Sequence, residues 1–278
     1  MVGFDSETGE VAGTTGIEAS IGWDVPFYSY HISKVVHSSP KLGVNNVVKL
    51  LTFGNNYTGN SEICTLFLRE KFRQGLNGRL MSKCRFLMMA EHPERFSETI
   101  FAEMRGVSDA NGNSPFWQWL QEHFFSIDFT LADYLTGIGK KGFIADLMPK
   151  LPIYINLLSP EAQAVIGQVH DKTRPALKLL EREGFTNRGY VDIFDAGPTV
   201  ECDLRNVESV RHSFRARVKI AAHNSTQDFL MCNASFENFR AAAAKAAYDP
   251  ETQSVVLAPE LADALLVEEG DFVRLLPQ

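Results

Sequence analysis

The segment ICTLFL at residues 63–68 opens the part of the chain that decides its fold. Its apolar and β-branched residues predict a strand over Ile63–Leu68. A loop with two glycines is predicted over Phe72–Gly78, and another strand over Thr99–Met104. Between them we predict a helix over Arg79–Ala90, because apolar residues recur at helical spacing, namely Leu80, Cys84, Leu87 and Met88.

This order of strand, glycine loop, helix and strand is typical of a unit that binds a nucleotide tail or coenzyme A. Backbone N–H groups at a helix N-terminus favour a pyrophosphate at that place. The loop residues Arg73, Gly75, Asn77 and Gly78 are therefore candidates for binding the pyrophosphate. A plain turn is the alternative, since glycine and asparagine are also common turn residues.

A helix start and a single histidine lie together in SPEAQAVIGQVH, residues 159–170. Ser159 is a suitable N-cap, Pro160 suits the first helical turn, and the pattern lapses near Gly167. A second helix signal opens at residues 173–175, so His170 lies between two predicted helices. Histidine accepts or gives a proton near neutral pH, which makes His170 a candidate general acid or base. The alternative is an uncommitted loop histidine.

The composition is that of an ordinary globular chain. Its 278 residues, 45% hydrophobic and 22% charged, are enough for a large core in one domain or two. A net charge of −7 argues against a nucleic-acid partner. The cysteines and histidines are dispersed without metal-ligand spacing, so we expect free thiols and no metal. No signal-like N-terminus or membrane-length apolar run occurs, and we expect a cytoplasmic protein.

Further elements are predicted before residue 206. Residues 2–4 and 11–21 give a hairpin signal around a polar turn, whereas Pro26–Gly59 is predicted to be rich in loops. Phe116–Phe125 and Ala176–Phe185 are predicted to be short amphipathic helices, each ending on an aromatic residue.

From about Asn206 the pattern changes to short strands, predicted near residues 218–221, 255–257 and 272–276. The alanine run Ala241–Ala244 is predicted to be helical. We therefore predict a main α/β domain, residues 1–205, and a small β-rich C-terminal subdomain, residues 206–278.

Several longer motifs resemble one enzyme family. They are SEICTLFL (61–68), AEMRGV (102–107), SPFW (114–117), GQVH (167–170) and YVDIFDAGPT (190–199). Together with the run Ser159–Asp203, these motifs closely resemble the bacterial arginine N-succinyltransferase family, from about Asp5 onward and more weakly after Asp203. The resemblance implies an α/β, GNAT-like acyl-CoA N-acyltransferase fold with a mixed, mostly antiparallel sheet.

The resemblance also implies a reaction. Succinyl would pass from succinyl-CoA to the α-amino group of L-arginine, giving N2-succinyl-L-arginine and CoA, the first step of arginine degradation by the succinyltransferase pathway. Succinyl-CoA is then a co-substrate, and no bound cofactor is implied. In the family the residue matching His170 is the proton donor, and the residue matching Leu66 contacts succinyl-CoA. The alternatives are a related amine such as ornithine, or a non-catalytic subunit that pairs with a full-length paralogue; we expect a homo-oligomer or a hetero-oligomer.

The chain departs from the family at two places. Its start resembles an early strand of the family, so we expect the family's N-terminal segment to be lacking. In the loop, Gly78 fits the last position of the general GNAT pattern, whereas Leu76 stands at the first glycine position and Gly75 lies one residue early.

Other side chains are secondary candidates. Six are charged: Glu62 as a base, Arg105 and Arg174 toward the succinyl carboxylate, and Asp192, Asp195 and Glu201 toward a guanidinium. Each of the six is also explained as an ordinary surface or structural residue. Cys64 and Cys202 show no nearby base in the sequence, so we do not expect a thiol nucleophile.

Overall fold

The computed structural model describes residues 1–110, 112–124, 131 and 147–278. Its first sheet has nine strands in the order β1-β2-β5-β6-β9-β8-β3-β4-β7. The strands are β1 (Val2–Phe4), β2 (Val11–Glu18), β3 (Ser29–Ser39), β4 (Val44–Gly54), β5 (Ser61–Leu68), β6 (Thr99–Glu103), β7 (Ile153–Tyr154), β8 (Thr186–Val191) and β9 (Pro198–Asp203). Of the described pairs, β5–β6 is parallel and the others are antiparallel. The predicted mixed, mostly antiparallel sheet is confirmed.

The main helices pack on one side of this sheet, which we call the helical face. They are α1 (Asn77–Glu91), α2 (Pro115–Phe124), α3 (Pro160–Val165) and α4 (Arg174–Arg182). Ile100 and Val200 pack with residues of α1 and α4, whereas Tyr30 packs with residues of α2 and α3. Strand residues alternate between faces, so Phe101 and Glu201 point to the side that we call the opposite face.

A second sheet is built by residues 214–277 in the order β12-β11-β15-β10-β14-β13. Its elements are β10 (Phe214–Ile220), β11 (Asp228–Asn233), β12 (Ala241–Lys245), β13 (Ala247–Asp249), β14 (Ser254–Leu257), α6 (Pro259–Leu265) and β15 (Phe272–Pro277), preceded by α5 (Glu208–His212). This sheet has its own core, which includes Phe229, Val255 and Leu275. The three strands predicted from the sequence are present.

Helix α1 joins the two sheets. Leu87 of α1 packs against Leu230 and Leu276 of the second sheet. The Glu91 carboxylate, whose side chain is 1% exposed, pairs with Arg215 and Arg274. Burial alone would raise the pKa of Glu91, but hydrogen bonds from the two guanidinium groups hold it below its ordinary value. The C-terminal end of α1 is therefore fixed to the second sheet.

Two predictions of secondary structure are wrong. The region Pro26–Gly59 contains the long hairpin β3–β4, whose apolar residues fall on both faces and hide the strand alternation. Its turn includes Gly43, which has a φ of 63°. The alanine run is strand β12, paired with β11, where small side chains let α1 approach. The predicted hairpin at the N-terminus, strand β5, helix α1 and strand β6 are confirmed to within a few residues.

The predicted helix Phe116–Phe125 corresponds to α2, although Phe125 lies outside the described residues. The second amphipathic helix corresponds to α4, which begins two residues earlier than predicted. Within the described ranges, none of the helices is both long and apolar enough to cross a membrane.

Candidate active site

The parallel strands β5 and β6 meet only at their first residues in the described structure. Ser61 pairs with Ile100, and Glu62 pairs with Phe101. Strand β5 then continues to Leu68 against β2 on its other side. The two strands therefore diverge toward their C-terminal ends and leave a gap in the sheet.

A β-bulge lies on β5 beside this gap. The register of β5 with β2 shifts by one residue, so Thr65 and Leu66 together oppose Thr15. Thr65 has a φ of 49°, in the left-handed region that a β-branched residue rarely adopts. Strain of this kind costs ~1–3 kcal/mol and clusters at functional sites. A bulge also takes backbone groups out of the ladder, so Leu66 lies at the irregular part of the strand.

His170 lies in the gap, held by its backbone. The His170 N–H donates to the carbonyl of Arg105, the second residue after β6, at 2.9 Å. The preceding residue, Met104, donates its N–H to Pro198 on the β9 side. Since successive residues of an extended chain turn their backbone groups to opposite sides, His170 occupies the β5 side of β6. The isolated bridge between Gly106 and Val169 supports the same placement.

The orientation of the His170 ring defines its proton donor. Its Nδ1 atom accepts a hydrogen bond from the backbone N–H of Lys172 at 3.1 Å. A nitrogen that accepts a hydrogen bond carries no proton, so the neutral ring holds its proton on Nε2. The half-buried His170 ring thus has an N–H group available on the side away from its own loop.

Two arginines flank His170. Arg174, the first residue of α4, donates its backbone N–H to the His170 carbonyl at 3.1 Å. Its side chain pairs with Asp171 at 2.7 Å, and this hydrogen bond and charge lower the pKa of Asp171. The exposed Arg105 side chain donates to Ser108 at 2.8 Å. The structure therefore brings the backbones of both predicted carboxylate-binding residues next to His170.

The predicted pyrophosphate loop leads directly into α1. Gly75 has a φ of 53°, and the Asn77 side chain closes the loop by donating to the Phe72 carbonyl at 3.1 Å. The N-cap of α1 is Leu76, which cannot cap through its side chain. Among the described residues, the N–H groups of Gly78 and Arg79 donate to no protein acceptor.

Arg73 completes this loop from the exposed side. Its Nε atom donates to the Leu68 carbonyl at 2.9 Å, which ties the loop to the end of β5. Arg73 and Arg79 are exposed beside the uncapped helix end. The loop can therefore bind an anion through backbone N–H groups, the helix dipole and guanidinium groups.

Two predicted guanidinium ligands, Asp192 and Asp195, bind backbone N–H groups around the turn between β8 and β9. The Asp195 carboxylate accepts the backbone N–H groups of Gly106 and Gly197 at 2.7 and 2.8 Å. Asp192 accepts the N–H groups of Phe194 and Asp195, and burial followed by the Asp195 charge raises its pKa. These carboxylates hold the turn between β8 and β9 against the end of β6, next to the loop that carries His170.

Glu201 and Glu62 both lie on the opposite face. The Glu201 carboxylate accepts the Tyr57 hydroxyl at 2.6 Å and pairs with Arg188 at 3.1 Å. Glu62 is in register with Phe101, next to the strand that carries Glu201. Burial, followed by the Glu62 charge, raises the pKa of the Cys64 thiol, which opposes a thiolate nucleophile at that position.

The sequence reasoning missed the Thr65 bulge and three residues beside Glu201, namely Tyr57, Glu103 and Thr199. Glu103 pairs with Thr199 between β6 and β9, two residue pairs along the ladder from Glu201 and on the same face. The only sequence signal for the bulge is the glycine pair Gly13 and Gly16 in β2.

A parallel pair that diverges, a bulge on its first strand and an uncapped helix behind that strand define an acyl-CoA N-acyltransferase with the GNAT-like fold. Among the described residues, no group of three or more His, Cys, Asp or Glu side chains is placed to hold a metal ion.

Comparisons with known proteins specify the family. The model of a family described as "Arginine N-succinyltransferase beta subunit" matches residues 1–209, and that of its C-terminal domain matches residues 214–277. Arginine N-succinyltransferases of Salmonella paratyphi B and Salmonella newport are each 49% identical over 274 residues, 98% of this chain and 79% of each relative. The solved structure of arginine/ornithine succinyltransferase subunit AI from Pseudomonas aeruginosa is 36% identical, with a TM-score of 0.88, and the match covers 99% of this chain and 79% of that chain.

The chain belongs to the arginine N-succinyltransferase family, a family of acyltransferase enzymes.

Proposed function

We propose that this chain transfers the succinyl group of succinyl-CoA to the α-amino group of L-arginine, giving N2-succinyl-L-arginine and CoA. The observation that carries the proposal is the hydrogen bond from the Lys172 N–H to His170 Nδ1, which leaves Nε2 to carry the proton of the neutral ring beside the gap between β5 and β6. The names of the Salmonella relatives and the family description support arginine as the acceptor.

The chemistry follows from this placement. The neutral α-amine attacks the thioester carbonyl, and a C–N bond forms while negative charge develops on the carbonyl oxygen. Backbone N–H groups at the Leu66 bulge stabilise that oxygen. The C–S bond then breaks, and His170 gives its Nε2 proton to the CoA thiolate. The amine loses its proton to water or to a carboxylate of the opposite face, with Glu62 as the candidate. No covalent enzyme intermediate is required.

The binding of succinyl-CoA is assigned to two regions. Arg73, Gly75, Asn77 and Gly78 hold the pyrophosphate at the N-terminus of α1, with the pantetheine running along the β5 bulge toward the gap. The succinyl carboxylate is bound by Arg105 or Arg174, both of which adjoin His170. All of these residues precede residue 206, so we assign catalysis to residues 1–205 and a supporting role to residues 206–278.

The proposal is tested by the release of free CoA, measured with a thiol reagent. The purified chain is mixed with succinyl-CoA, with and without L-arginine, and we expect arginine-dependent release. His170→Ala should lower kcat by about 10²–10⁴-fold, because a general acid is lost. His212→Ala is the matched control, since His212 is an exposed helix residue paired with Glu208. A kcat of His170→Ala within a few-fold of the parent would remove the proton-donor role.

Ornithine is the second candidate acceptor, because the Pseudomonas protein is named an arginine/ornithine succinyltransferase. Comparing kcat/KM for arginine and ornithine decides between them.

The name of that protein and the family description both refer to subunits, so we also propose an oligomer of this chain, alone or with a related subunit. Light scattering of the purified chain, and of a mixture with such a subunit, measures the oligomeric state.

We also propose a cytoplasmic location. The four cysteines are unpaired, as is usual in a reducing compartment, and the proposed co-substrate succinyl-CoA must be supplied there.

A further inference from the structure

Glu103, Thr199 and Glu201 form a polar triangle on the opposite face, beside the gap. Glu103 is directly across from Thr199 in the β6–β9 ladder, and Phe101 is directly across from Glu201. Glu103 and Glu201 are therefore diagonal neighbours, with side chains roughly 7–8 Å apart at their base. Thr199 and Glu201 are two residues apart on one strand and share this face.

Aromatic rings enclose the triangle. Tyr57 stacks on Phe101 with ring centroids 4.3 Å apart, and Tyr190 meets Tyr57 edge-on at 4.9 Å. The Tyr57 hydroxyl donates to Glu201, and burial with the charges of Glu201 and Glu103 raises the pKa of Tyr57. Acidic oxygens beside aromatic faces suit a planar guanidinium, which forms charge-assisted hydrogen bonds and stacks.

A buried hydroxyl points independently to a ligand. Thr199 is fully buried, and its Oγ1 atom has no hydrogen-bond partner in the described structure. A buried hydroxyl of this kind costs free energy unless something binds it. Thr199 faces the space between Glu103 and Glu201 because it is paired with the first and shares the strand face of the second.

An internal guanidinium already contacts the triangle. Arg188 of β8 places its Nε atom 3.1 Å from Glu201, while its side chain stays 68% exposed. The contact shows that Glu201 is accessible to a guanidinium from the solvent side. Because Arg188 is so exposed, the pair contributes little free energy and is readily replaced.

We propose that Glu103, Thr199 and Glu201 form the subsite for the guanidinium of the arginine substrate, with Arg188 occupying its outer edge in the free enzyme. This inference rests on the proposed function. Glu103 lies two residues before Arg105, whose carbonyl holds His170, a span of about 6.6 Å along the strand. An extended arginine can therefore bind here and still present its α-amine to the gap. Ornithine carries a compact ammonium on a shorter side chain, which reaches one carboxylate.

The test compares KM values in the complete chain. Glu103→Gln and Glu201→Gln should each raise KM for arginine by about 10–100-fold, the loss of charge-assisted hydrogen bonds, with KM for succinyl-CoA unchanged. KM for ornithine should rise less than KM for arginine. Arg188→Gln should lower KM for arginine, because an internal competitor is removed. Glu208→Gln is the matched control, as it removes a carboxylate from an exposed arginine pair elsewhere.

Titration calorimetry with L-arginine, without succinyl-CoA, separates this subsite from the proposed function. Arginine binding that weakens in Glu103→Gln and Glu201→Gln supports the subsite even if the parent shows no turnover, which would overturn the proposed function alone. An active parent whose two variants keep the arginine KM and affinity would overturn the subsite alone. A parent that neither turns over nor binds arginine would overturn both proposals. Circular dichroism checks that each variant is folded. Glu201→Gln also changes the hydrogen bond from Tyr57, which could disturb the packing of that ring, whereas Glu103→Gln leaves the Tyr57–Glu201 hydrogen bond in place.

Discussion

Gly13 of β2 lets that strand approach the bulged part of β5. A Cβ at Gly13 would lie 2.2 Å from the carbonyl oxygen of Phe67 and 3.1 Å from the Cα of Leu68. Both are backbone atoms of β5, so no side-chain rotation can relieve the contact. Gly13→Ala must therefore push β5 away by roughly 1 Å to restore van der Waals distance.

This displacement acts on the segment that includes Leu66. Overpacking of a well-packed site costs about 1–3 kcal/mol, so we expect a folded variant with a free energy of unfolding lowered by that amount. A displacement of about 1 Å near the reacting atoms can lower the rate about 10²-fold. We therefore expect kcat of Gly13→Ala to fall about 10²-fold at saturating substrates.

Gly3 provides the matched control, because it is the residue paired with Gly13 on the neighbouring strand β1. A Cβ at Gly3 would meet the sulfur of Met81 at 2.7 Å, the far end of a flexible side chain that can move aside. Gly3→Ala should keep the kcat of the parent, and its free energy of unfolding should fall by less than about 1 kcal/mol. CoA release and urea unfolding measure both effects. Gly13→Ala with the kcat of the parent would refute the role of the bulge.

Two further substitutions test the elements around the site. Glu91→Gln should lower the free energy of unfolding by about 3 kcal/mol, the low end of the range for breaking a buried ion pair. The low end applies because the Arg215 side chain stays about half exposed to water, whereas Arg274 loses a buried partner. The pKa of Glu91 in the folded protein is below its ordinary value of 4.5, so the Glu91 carboxylate stabilises the fold above that pH. This stabilisation is lost as the pH falls through the folded pKa. The free energy of unfolding, measured with urea, should therefore fall less steeply at acid pH in Glu91→Gln than in the parent. Asp195→Asn places a side-chain NH2 group against the backbone N–H of either Gly106 or Gly197. It should therefore lower the free energy of unfolding by about 1–3 kcal/mol, and lower kcat without raising KM for arginine. A rise confined to arginine KM would make Asp195 a substrate ligand.

The sequence predicts local elements better than their pairing. Strand β5 and helix α1 follow from apolar spacing, and the Ser159 cap is confirmed by its hydrogen bond from the Ala162 N–H at 3.2 Å. Hairpin β3–β4 was missed because its apolar residues occupy both faces. The alanine run was misassigned because helix propensity is a weak prior that the packing of β12 overrides.

The candidate site shows the same division. The resemblance assigns His170, yet its tautomer depends on the Lys172 N–H, a backbone contact that no sequence pattern contains. Asp195 looks like a substrate ligand in the sequence, and only the turn geometry shows both its oxygens bound to backbone. Glu103 and Thr199 are far apart in the chain, so their meeting requires the register of β6 with β9.

On the proposed function, the divergence of β5 from β6 lets the two substrates meet without competing for one pocket. The predicted pyrophosphate loop and α1 belong to the helical face, so we expect the coenzyme to approach the gap from that side. The polar triangle of Glu103, Thr199 and Glu201 lies on the opposite face, so we expect an arginine side chain to approach from the other side. A closed sheet would keep the two faces about a side-chain layer apart, whereas the gap joins them where His170 is held. If this arrangement is correct, Gly13→Ala should lower kcat with either acceptor amine, while Glu103→Gln should discriminate between arginine and ornithine.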